Sequence, residues 1–339
     1  MTYRICLLPG DGIGPEVIAQ AEKVLKALDL QFEFEVGDIG FGAYQKHGTP
    51  LPESTLESII KSDATLFGAV TTPPDIPGYF SPVVRMRQAL DLYANVRPCR
   101  SFDHSTSRPG IDLVVVRENT EDLYSGVERI EDDGNRAVGE MIITRRASER
   151  VSRKAFELAR AEGRHKVTIV HKANVLRQTC GLFRRVALEV ASEYPGITAE
   201  EMLVDTCAME LVRAPGQFDV IVTTNLFGDI LSDEASMLVG GLGVAYSGNI
   251  GVKAAVFEPV HGSAPVLVGK HIANPIATFL SAVMLLQYIG EAAVAERLRQ
   301  AILDCISHQA VTPDLGGTLT TEQVTDRVLS AFETVPERK

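Results

Sequence analysis

The sequence lacks the features that mark several classes of protein. Its five cysteines are odd in number and far apart, with neither metal-ligand spacing nor a disulfide framework, which indicates a reducing compartment. Lys and Arg (33) are outnumbered by Asp and Glu (44), giving a net charge of −11 and a pI near 5.2. Such a surface repels phosphate backbones and anionic lipid, so nucleic acid and membrane are poor candidates for partners. The cysteines are Cys6, Cys99, Cys180, Cys207 and Cys305.

Long apolar runs are also missing. The most apolar stretch, Phe279–Ile289, contains Ser281 and Gln287 and is shorter than the roughly 20 residues that span a bilayer. Met1–Gly14 has no basic segment and no cleavage pattern, so we expect a cytoplasmic protein.

No Ser/Pro-rich linker or repeat is present. We therefore expect domain boundaries in loops at Arg97–Pro109 and Gly240–Gly251.

What is present indicates an α/β protein. The 339 residues are 45% hydrophobic and 23% charged, enough for about two domains with a sizeable core. Short apolar runs alternate with segments of helical period. The predicted strands are Arg4–Leu8, Ala64–Gly68, Asp112–Val116, Val167–Val170 and Asp219–Val222. The predicted helices are Pro15–Leu28, Ala147–Ala161, Leu182–Glu193 and Glu291–Ser307.

A glycine-rich segment, Leu8–Glu16 (LPGDGIGPE), joins the first predicted strand to the first predicted helix. Glycines permit a tight turn and close approach of a ligand. However, the third glycine comes one position too early for the G-x-G-x-x-G turn of a Rossmann fold. The segment is either a structural turn or a ligand loop, and it does not indicate a Rossmann fold.

Three aspartates could hold a divalent cation. Asp229 and Asp233 lie four residues apart on a predicted helix and share one face, after a strand that ends near Thr223. Asp205 ends another apolar run. Carboxylates that converge from strand ends suit Mg²⁺ or Mn²⁺. The alternative is helix capping and a solvated acidic face.

Basic residues cluster before and after predicted strands. Arg85, Arg87, Arg97 and Arg117 suit a substrate with several carboxylates, although an Arg–Glu salt bridge would explain any one of them. Lys172 follows a buried strand, and a low-dielectric site could lower its pKa and make it a base. Lys172 could equally be a surface residue, and His261 could be either a ligand-facing or a turn-stabilising residue.

Eight segments, taken together and in chain order, closely resemble the β-decarboxylating dehydrogenases, the isocitrate, 3-isopropylmalate and homoisocitrate dehydrogenase family. The resemblance runs from residue 8 to residue 317. The segments are Leu8–Glu16, Asp91–Pro98 (DLYANVRP), Arg117–Tyr124 (RENTEDLY), His171–Asn174 (HKAN), Thr223–Asp233 (TTNLFGDILSD), Glu258–Pro265 (EPVHGSAP), Ala273–Pro275 (ANP) and Thr312–Gly317 (TPDLGG).

The resemblance implies a two-domain α/β fold with a shared large mixed sheet, not a Rossmann fold. It implies a discontinuous cofactor-binding domain, residues 1–98 plus 252–339, and a dimerisation and metal/substrate domain, residues 99–251. It also implies a homodimer, or a dimer of dimers, whose active sites are shared between subunits.

The same resemblance implies roles for individual residues. Tyr124 would be the general acid, and Lys172 of the neighbouring subunit the base. Asp229 and Asp233, with Asp205 from the neighbour, would bind Mg²⁺ or Mn²⁺. The substrate-binding set would be Thr72, Ser81, Arg87, Arg97, Arg117, Tyr124, Lys172 and Asn174. The set for the nicotinamide dinucleotide would be Val70, Thr71, Thr72, Asn174, His261, Gly262, Ser263, Ala264, Asn274 and Asp314.

Substrate choice depends in this family on the segment before Arg87. Ser81, Val83 and Val84 stand where isopropylmalate enzymes carry a leucine-rich version. The residue pattern of this segment, together with that of Arg117–Tyr124, most resembles homoisocitrate dehydrogenases. We therefore expect NAD-dependent oxidation and decarboxylation of homoisocitrate to 2-oxoadipate, a step of lysine biosynthesis. One bacterial type of homoisocitrate dehydrogenase has an arginine at the position of Val84. Arg85 could replace it only on a non-helical segment, because it lies about 200° from Arg87 around a helix.

Alternative functions stay open from the sequence. Isocitrate, or both tricarboxylates, could be the substrate, with 3-isopropylmalate and tartrate or malate less favoured. A carboxylate-binding protein is the non-enzymatic alternative, although binding alone needs no acid, base and metal together. NAD is favoured over NADP although Val266 replaces the usual acidic residue. A 2′-phosphate needs cationic groups, and only Lys270 and His271 follow at a distance.

Overall fold

The computed structural model describes residues 1–73, 75–76 and 78–335, which contacts divide into two compact units. Unit 1 contains Met1–Leu90, Ser101–Pro109 and the chain from Ser236 onward, and unit 2 contains Asp91–Arg100 and Gly110–Ala235. The chain crosses between the units four times, so no single linker separates them.

The described residues form twelve strands and eleven α-helices. The strands are β1 Thr2–Gly10, β2 Gln31–Val36, β3 Ala64–Ala69, β4 Ala94–Arg100, β5 Asp112–Glu118, β6 Glu128–Glu131, β7 Arg136–Gly139, β8 Lys166–His171, β9 Thr198–Leu203, β10 Val220–Thr223, β11 Tyr246–Ile250 and β12 Ala255–Pro259. The helices are α1 Gly14–Lys26, α2 Phe41–His47, α3 Glu53–Lys61, α4 Pro82–Ala89, α5 Arg145–Ala161, α6 Thr179–Ala191, α7 Val204–Arg213, α8 Asn225–Leu238, α9 Ile276–Tyr288, α10 Ala292–Ser307 and α11 Thr321–Thr334.

The α/β fold with a large mixed sheet of ten strands, five belonging to each unit, is the fold that the resemblance implies. The five predicted strands are confirmed as β1, β3, β5, β8 and β10, and the four predicted helices as α1, α5, α6 and α10. The predicted loops are wrong in part, because Arg97–Arg100 belongs to β4 and Tyr246–Ile250 is β11. Pro98 interrupts the apolar pattern of β4 and Gly248 that of β11, which concealed both strands.

Unit 1 orders its strands β2-β1-β3-β12-β11, parallel except for the β11–β12 pair. Its core draws on both ends of the chain, from Ile5 and Leu7 on β1 to Val328 and Phe332 on α11. The apolar stretch that begins at Phe279 lies within α9, which is buried on nearly all sides, as an all-round hydrophobic helix must be. No helix of the described residues has the length and hydropathy needed to cross a membrane.

Unit 2 orders its strands β4-β5-β10-β8-β9, parallel except for the β4–β5 pair. Strand β5 is buried along its whole length after Asp112, as expected for a strand covered on both faces. Helix α5 begins where the Thr144 side chain accepts a hydrogen bond from the Ala147 backbone N–H. Its apolar residues Val151, Ala155 and Ala159 repeat every four positions on the buried face. A separate hairpin, β6–β7, completes the unit.

Candidate active site

Arg117, Tyr124 and the aspartates of α8 belong to segments at or beyond the carboxyl ends of two adjacent parallel strands of unit 2, β5 and β10. In β5, Arg117 pairs in register with Thr223 of β10, which pairs in turn with Val170 of β8. Helix α8 begins at Asn225, two residues beyond β10, and carries both predicted metal aspartates. Functional groups of parallel sheets collect at this edge. The strand order therefore explains why these separate segments meet.

Arg117 is a charged side chain buried at the end of its strand, with only 1% of its surface exposed. Its Nη2 donates to the Asn225 side-chain oxygen at 2.7 Å, and its Nη1 donates to Asp229 Oδ1. A Cβ at Gly228 would lie 2.5 Å from the Arg117 Cγ, so glycine lets α8 approach the arginine. These contacts supply the partner that a buried guanidinium needs.

Arg97 of β4 approaches the same helix and is also buried. Its Nη1 donates to Ser232 Oγ at 2.8 Å and to Asp233 Oδ1 at 3.0 Å, and its Nη2 lies 3.3 Å from Asp229 Oδ1. Burial, and to a lesser degree the neighbouring Asp229, raise the pKa of Asp233, while Arg97 acts in the opposite direction. Two carboxylates and two guanidinium groups thus face each other at one edge of unit 2.

Tyr124 completes this cluster. Its hydroxyl donates to Asp229 Oδ2 at 2.5 Å, and its ring lies 4.9 Å from the Arg117 guanidinium carbon. Burial, together with the bond to Asp229, raises the pKa of Tyr124, so the phenol keeps its proton. Asp122 positions this turn by accepting hydrogen bonds from the backbone N–H groups of Leu123 and Leu226, in a left-handed conformation at φ 71°.

Lys172 and Asp205 form a second group in unit 2. The Lys172 Nζ lies 2.6 Å from Asp205 Oδ1, and this contact lowers the pKa of Asp205. His171, directly before the lysine, accepts at Nδ1 from the Ala173 backbone N–H and faces Glu201 through Nε2. Asn174 is exposed in the following loop.

The three predicted metal aspartates do not converge within one chain. Asp229 and Asp233 share the face of α8 that Arg97 contacts, whereas Asp205 is bound to Lys172. In the part of the chain that the structure describes, no three His, Cys, Asp or Glu side chains are close enough to bind one ion. Within the described residues, a single chain therefore offers two carboxylates at this face of α8.

Arg87 lies in unit 1 with a different partner. Its Nη2 donates to Glu258 Oε1 at 2.7 Å, and Asn249 donates to the same oxygen at 2.8 Å. For Arg87, the salt bridge considered as an alternative is therefore present. Ser81 caps α4, its Oγ lying 3.4 Å from the Val84 backbone nitrogen. Because α4 is helical, Arg85 leaves it on the other side from Arg87, exposed and lining a cavity of about 760 Å³ with Leu51 and Ile60.

The residues predicted to bind the dinucleotide all lie in unit 1, apart from Asn174. Thr71 Oγ1 lies 2.7 Å from Ser263 Oγ, which links the segment Val70–Thr72 to the segment Gly262–Ala264. Asn274 donates to Asp314 Oδ2 at 2.9 Å. A Cβ at Gly243 would lie 2.4 Å from that oxygen, so this glycine permits the approach. Among the described residues, two segments and one amide–carboxylate pair form the candidate cofactor surface.

His261 adds a neutral group to this surface. Its Nδ1 lies 3.0 Å from the Gly262 carbonyl oxygen, so Nδ1 carries the proton, and burial lowers the pKa of the imidazole. Its buried Nε2 has no hydrogen-bond partner among the residues described. Ala264 adopts a left-handed conformation at φ 38°, and Val266 is 74% exposed. This part of unit 1 thus combines a buried, unpaired imidazole nitrogen with an exposed apolar residue.

Three polar residues of this region escaped the sequence analysis. Glu258, Asn225 and Asp11 stood inside quoted motifs, but we assigned them no role. Each accepts hydrogen bonds from a candidate site residue: Arg87, Arg117 and Thr71, respectively. An acidic or amide residue inside each motif was the available signal. Its partner could not be read, because the pairs are separated by 60 to 171 positions.

Two buried arginines, with Asp229, Asp233 and Tyr124 beside them, lie beyond parallel strands of the mixed sheet, and this arrangement is compatible with acid–base chemistry on a carboxylate substrate. The family model described as isocitrate/isopropylmalate dehydrogenase matches residues 4–328. The chain belongs to this family, whose enzymes oxidise and decarboxylate small-molecule substrates and use NAD and a divalent metal.

Individual relatives match over nearly the whole chain. An isocitrate/homoisocitrate dehydrogenase of Thermus thermophilus is 51% identical, over 99% of this chain and 100% of the relative. A homoisocitrate dehydrogenase of Methanocaldococcus jannaschii is 49% identical, over 96% and 97%. The crystal structure of isocitrate dehydrogenase from Methylococcus capsulatus has a TM-score of 0.95 at 46% identity, over 98% and 100%. Relatives named 3-isopropylmalate dehydrogenase also match, one of them at 49% identity.

Proposed function

We propose that this protein is a homodimeric, NAD- and Mg²⁺- or Mn²⁺-dependent dehydrogenase that oxidises and decarboxylates homoisocitrate to 2-oxoadipate. The observation that carries the proposal is the cluster in unit 2 of Asp229, Asp233, Arg97, Arg117 and Tyr124. It supplies carboxylates for a cation, guanidinium groups for substrate carboxylates and a protonated phenol at one edge of a sheet. A binding protein would need no such acid.

Asp229 and Asp233 fit a hard divalent cation. All their donor atoms are carboxylate oxygens, and Mg²⁺ is commonly held by one or two carboxylates, with substrate and water as further ligands. Arg97 and Arg117 form ion pairs with these two carboxylates. When bound, the cation would polarise the hydroxyl and carboxylate oxygens of the substrate and stabilise negative charge during the loss of CO₂. Arg87, Arg97 and Arg117 would bind the carboxylates.

Two residues would move protons. Tyr124 would protonate the carbon that has lost CO₂, and its raised pKa supports this role because the phenol remains protonated at neutral pH. Lys172 would accept the hydroxyl proton as hydride passes to the nicotinamide. The His171 contacts to Ala173 and Glu201 hold the loop that carries this lysine, so its amine is presented from a fixed backbone.

The proposal that Lys172 and Asp205 act in the neighbouring subunit is supported by the surface that surrounds them. On α7, Asp205, Met209 and Val212 follow at steps of four and three, so they share one face. Met209 is 69% and Val212 55% exposed, and on α8 Ile230 is 57% exposed beside Asp229. Large apolar side chains beside functional carboxylates are typical of a surface that a partner covers. We propose that this partner is a second copy of the chain.

For the cofactor we propose NAD. Thr71, Thr72, Asn274 and Asp314, with the segment from His261 to Ala264, would contact the dinucleotide. No cation follows directly after this segment, where Val266 stands exposed, and a 2′-phosphate would need one. The nearest, Lys270, lies four residues farther along the chain.

For the substrate, two observations favour homoisocitrate. The relatives reported above include enzymes named for homoisocitrate, and Ser81, Val83 and Val84 do not form a leucine-rich surface. The distal carboxylate of homoisocitrate lies about 1.3 Å farther along the chain than that of isocitrate. Ser81 offers it one neutral hydrogen bond, and Arg85 leaves α4 on the other side from Arg87. Recognition of the distal carboxylate by Ser81 and water would therefore discriminate only weakly between homoisocitrate and isocitrate.

Formation of NADH with homoisocitrate, isocitrate and 3-isopropylmalate tests this proposal. We expect kcat/KM for homoisocitrate to exceed that for isocitrate by about ten- to a hundredfold, roughly 1.4–2.7 kcal/mol. Val84→Arg should increase that preference, Arg85→Gln should leave it unchanged as the matched control, and Ser81→Ala should weaken both tricarboxylates while sparing 3-isopropylmalate. A wild-type preference for 3-isopropylmalate contradicts the proposal.

Isocitrate is the second candidate, since the dehydrogenase of Methylococcus capsulatus shares the fold at a TM-score of 0.95. If kcat/KM for isocitrate equals or exceeds that for homoisocitrate, the proposed role in lysine biosynthesis is wrong, whereas the proposed chemistry stands.

A further inference from the structure

Asp11, in the glycine-rich segment between β1 and α1, lies at a junction of three parts of unit 1. Its Oδ2 accepts from the backbone N–H groups of Phe41, at 2.7 Å, and Thr71, at 2.9 Å. Its Oδ1 accepts from the backbone N–H of Gly42 at 2.9 Å. Charge-assisted bonds of this kind are about twice as strong as neutral ones. One side chain therefore connects the first turn to α2 and to the segment after β3.

The backbone of the same turn is fixed by further contacts. The Asp11 N–H donates to the Ala69 carbonyl at 2.7 Å, so Asp11 binds the chain on both sides of Val70. The Ile13 N–H donates to the Ser263 carbonyl at 2.9 Å. A Cβ on Gly12 would lie 2.0 Å from that carbonyl oxygen, so only glycine allows the approach. The turn thereby touches both segments of the proposed cofactor surface.

Thr71 receives contacts at each of its polar groups. Its N–H donates to Asp11, its carbonyl accepts from the Tyr79 hydroxyl at 3.0 Å, and its Oγ1 lies 2.7 Å from Ser263 Oγ. Tyr79 packs against Tyr44 of α2 with ring centroids 5.2 Å apart, and burial, with Asp11 nearby, raises its pKa to about 12. The segment Val70–Thr72 is thus held by contacts from several directions. Asp11 binds this segment directly through the Thr71 N–H, and it also binds α2, whose Tyr44 packs against Tyr79.

We infer that Asp11 is a positioning residue for the dinucleotide: it touches no reacting atom but preorders Val70–Thr72 against Gly262–Ala264 before the cofactor binds. The inference rests on the proposed cofactor surface. Fixing the backbone of one residue costs about 1–2 kcal/mol, so a cofactor that had to order two or three residues itself would bind at least tenfold more weakly.

The test uses the variants Asp11→Ala and Asp11→Asn, with Asp63→Asn as the matched control. Asp63 also accepts a backbone N–H, that of Arg4 at 2.8 Å, but lies away from the cofactor segments. Alanine removes all three bonds. Asparagine loses at least one, because its amide places a donor against an N–H donor. Should Asp11→Ala fail to fold, Asp11→Asn remains as the milder perturbation.

Two measurements are made: the Kd for NADH by fluorescence, and amide hydrogen exchange in the peptides that cover residues 38–45 and 66–73. We expect Asp11→Ala to raise the Kd about tenfold and Asp11→Asn by a smaller factor, with faster exchange in both peptides. At saturating NAD, kcat should stay near wild type, because Asp11 touches no reacting atom. Asp63→Asn should change neither the Kd nor the exchange of these peptides.

The outcomes separate the two proposals. If a folded Asp11 variant has faster exchange but a Kd within twofold of wild type, Asp11 is only structural and the inference is overturned. Unchanged exchange overturns it as well, because the junction would then be dispensable. A wild-type protein that binds no NADH contradicts the proposed cofactor itself, and the inference falls with it.

Discussion

Glu121 provides a test of the electrostatics of unit 2 that does not depend on any substrate. This side chain is 9% exposed and accepts hydrogen bonds from the Thr144 backbone N–H and hydroxyl, both at 2.8 Å. Those donors favour the ionised form, but burial outweighs them and, with Glu118 and Asp122 nearby, raises the pKa of Glu121 from 4.5 to about 7. The folded protein therefore holds this proton more tightly than the unfolded chain does.

The sign of the effect follows from that difference. Between pH 4.5 and pH 7, the unfolded chain releases the proton while the folded state keeps it, so stability falls as the pH rises through this window. Each unit of pKa corresponds to about 1.4 kcal/mol, which sets an upper limit of about 3 kcal/mol for the whole shift. Between pH 5 and pH 8, we expect about 2 kcal/mol of this loss.

The assay is urea unfolding of wild type and Glu121→Gln at pH 5 and pH 8, at a fixed protein concentration. Glutamine has no proton to release, so the variant should gain about 2 kcal/mol on the wild type between the two pH values. Glu57→Gln, which removes an exposed partner of Lys61, is the control and should change stability by less than about 0.5 kcal/mol at either pH. If the wild type instead becomes more stable relative to Glu121→Gln as the pH rises, the reasoning is refuted.

The remaining predictions concern catalysis. Removal of Mg²⁺ and Mn²⁺ with EDTA should abolish turnover, and Asp229→Asn should reduce it by orders of magnitude while circular dichroism stays unchanged; full activity of metal-free enzyme would contradict the proposed cation site. Tyr124→Phe should impair decarboxylation and enol protonation more than hydride transfer, whereas Lys172→Met should impair the oxidation step. If both variants reduce the isolated 2-oxo intermediate at wild-type rates, these roles are wrong. Mixing Lys172→Met and Tyr124→Phe protomers should restore part of the activity, and no recovery after verified subunit exchange would count against a shared site.

The sequence predicted the elements of the fold whose signal is local. Strand β5 reads as a continuous Val run, and α5 as a regular apolar stripe, so both were predicted close to their bounds. Asp229 and Asp233 were placed on one face because four residues make about one helical turn. Strands β4 and β11 were not predicted, because Pro98 and Gly248 interrupt an apolar pattern that is already weak in both segments.

The contacts of the candidate site were less accessible. Arg87 and Glu258 are 171 positions apart, so their salt bridge depends on how the strands of unit 1 are ordered. The contact between Lys172 and Asp205, 33 positions apart, could likewise not be read from the sequence. Asp11 was hidden for another reason: it binds backbone N–H groups, which every residue except proline provides, so no partner side chain marks it.

The division of the chain into units has a consequence for how the protein is made. The core of unit 1 joins β1 to α10 and α11, so the first 90 residues leave the ribosome without the helices that bury them. At about 5–20 residues per second, synthesis of the roughly 150 residues up to the last segment takes on the order of 10–30 s. Unit 2 is complete at Ala235 and can fold while the last segment, from Ser236 onward, is being synthesised. Strand β3, which is apolar and lacks its neighbour β12 until late in synthesis, is therefore the segment of the nascent chain that most needs protection by chaperones.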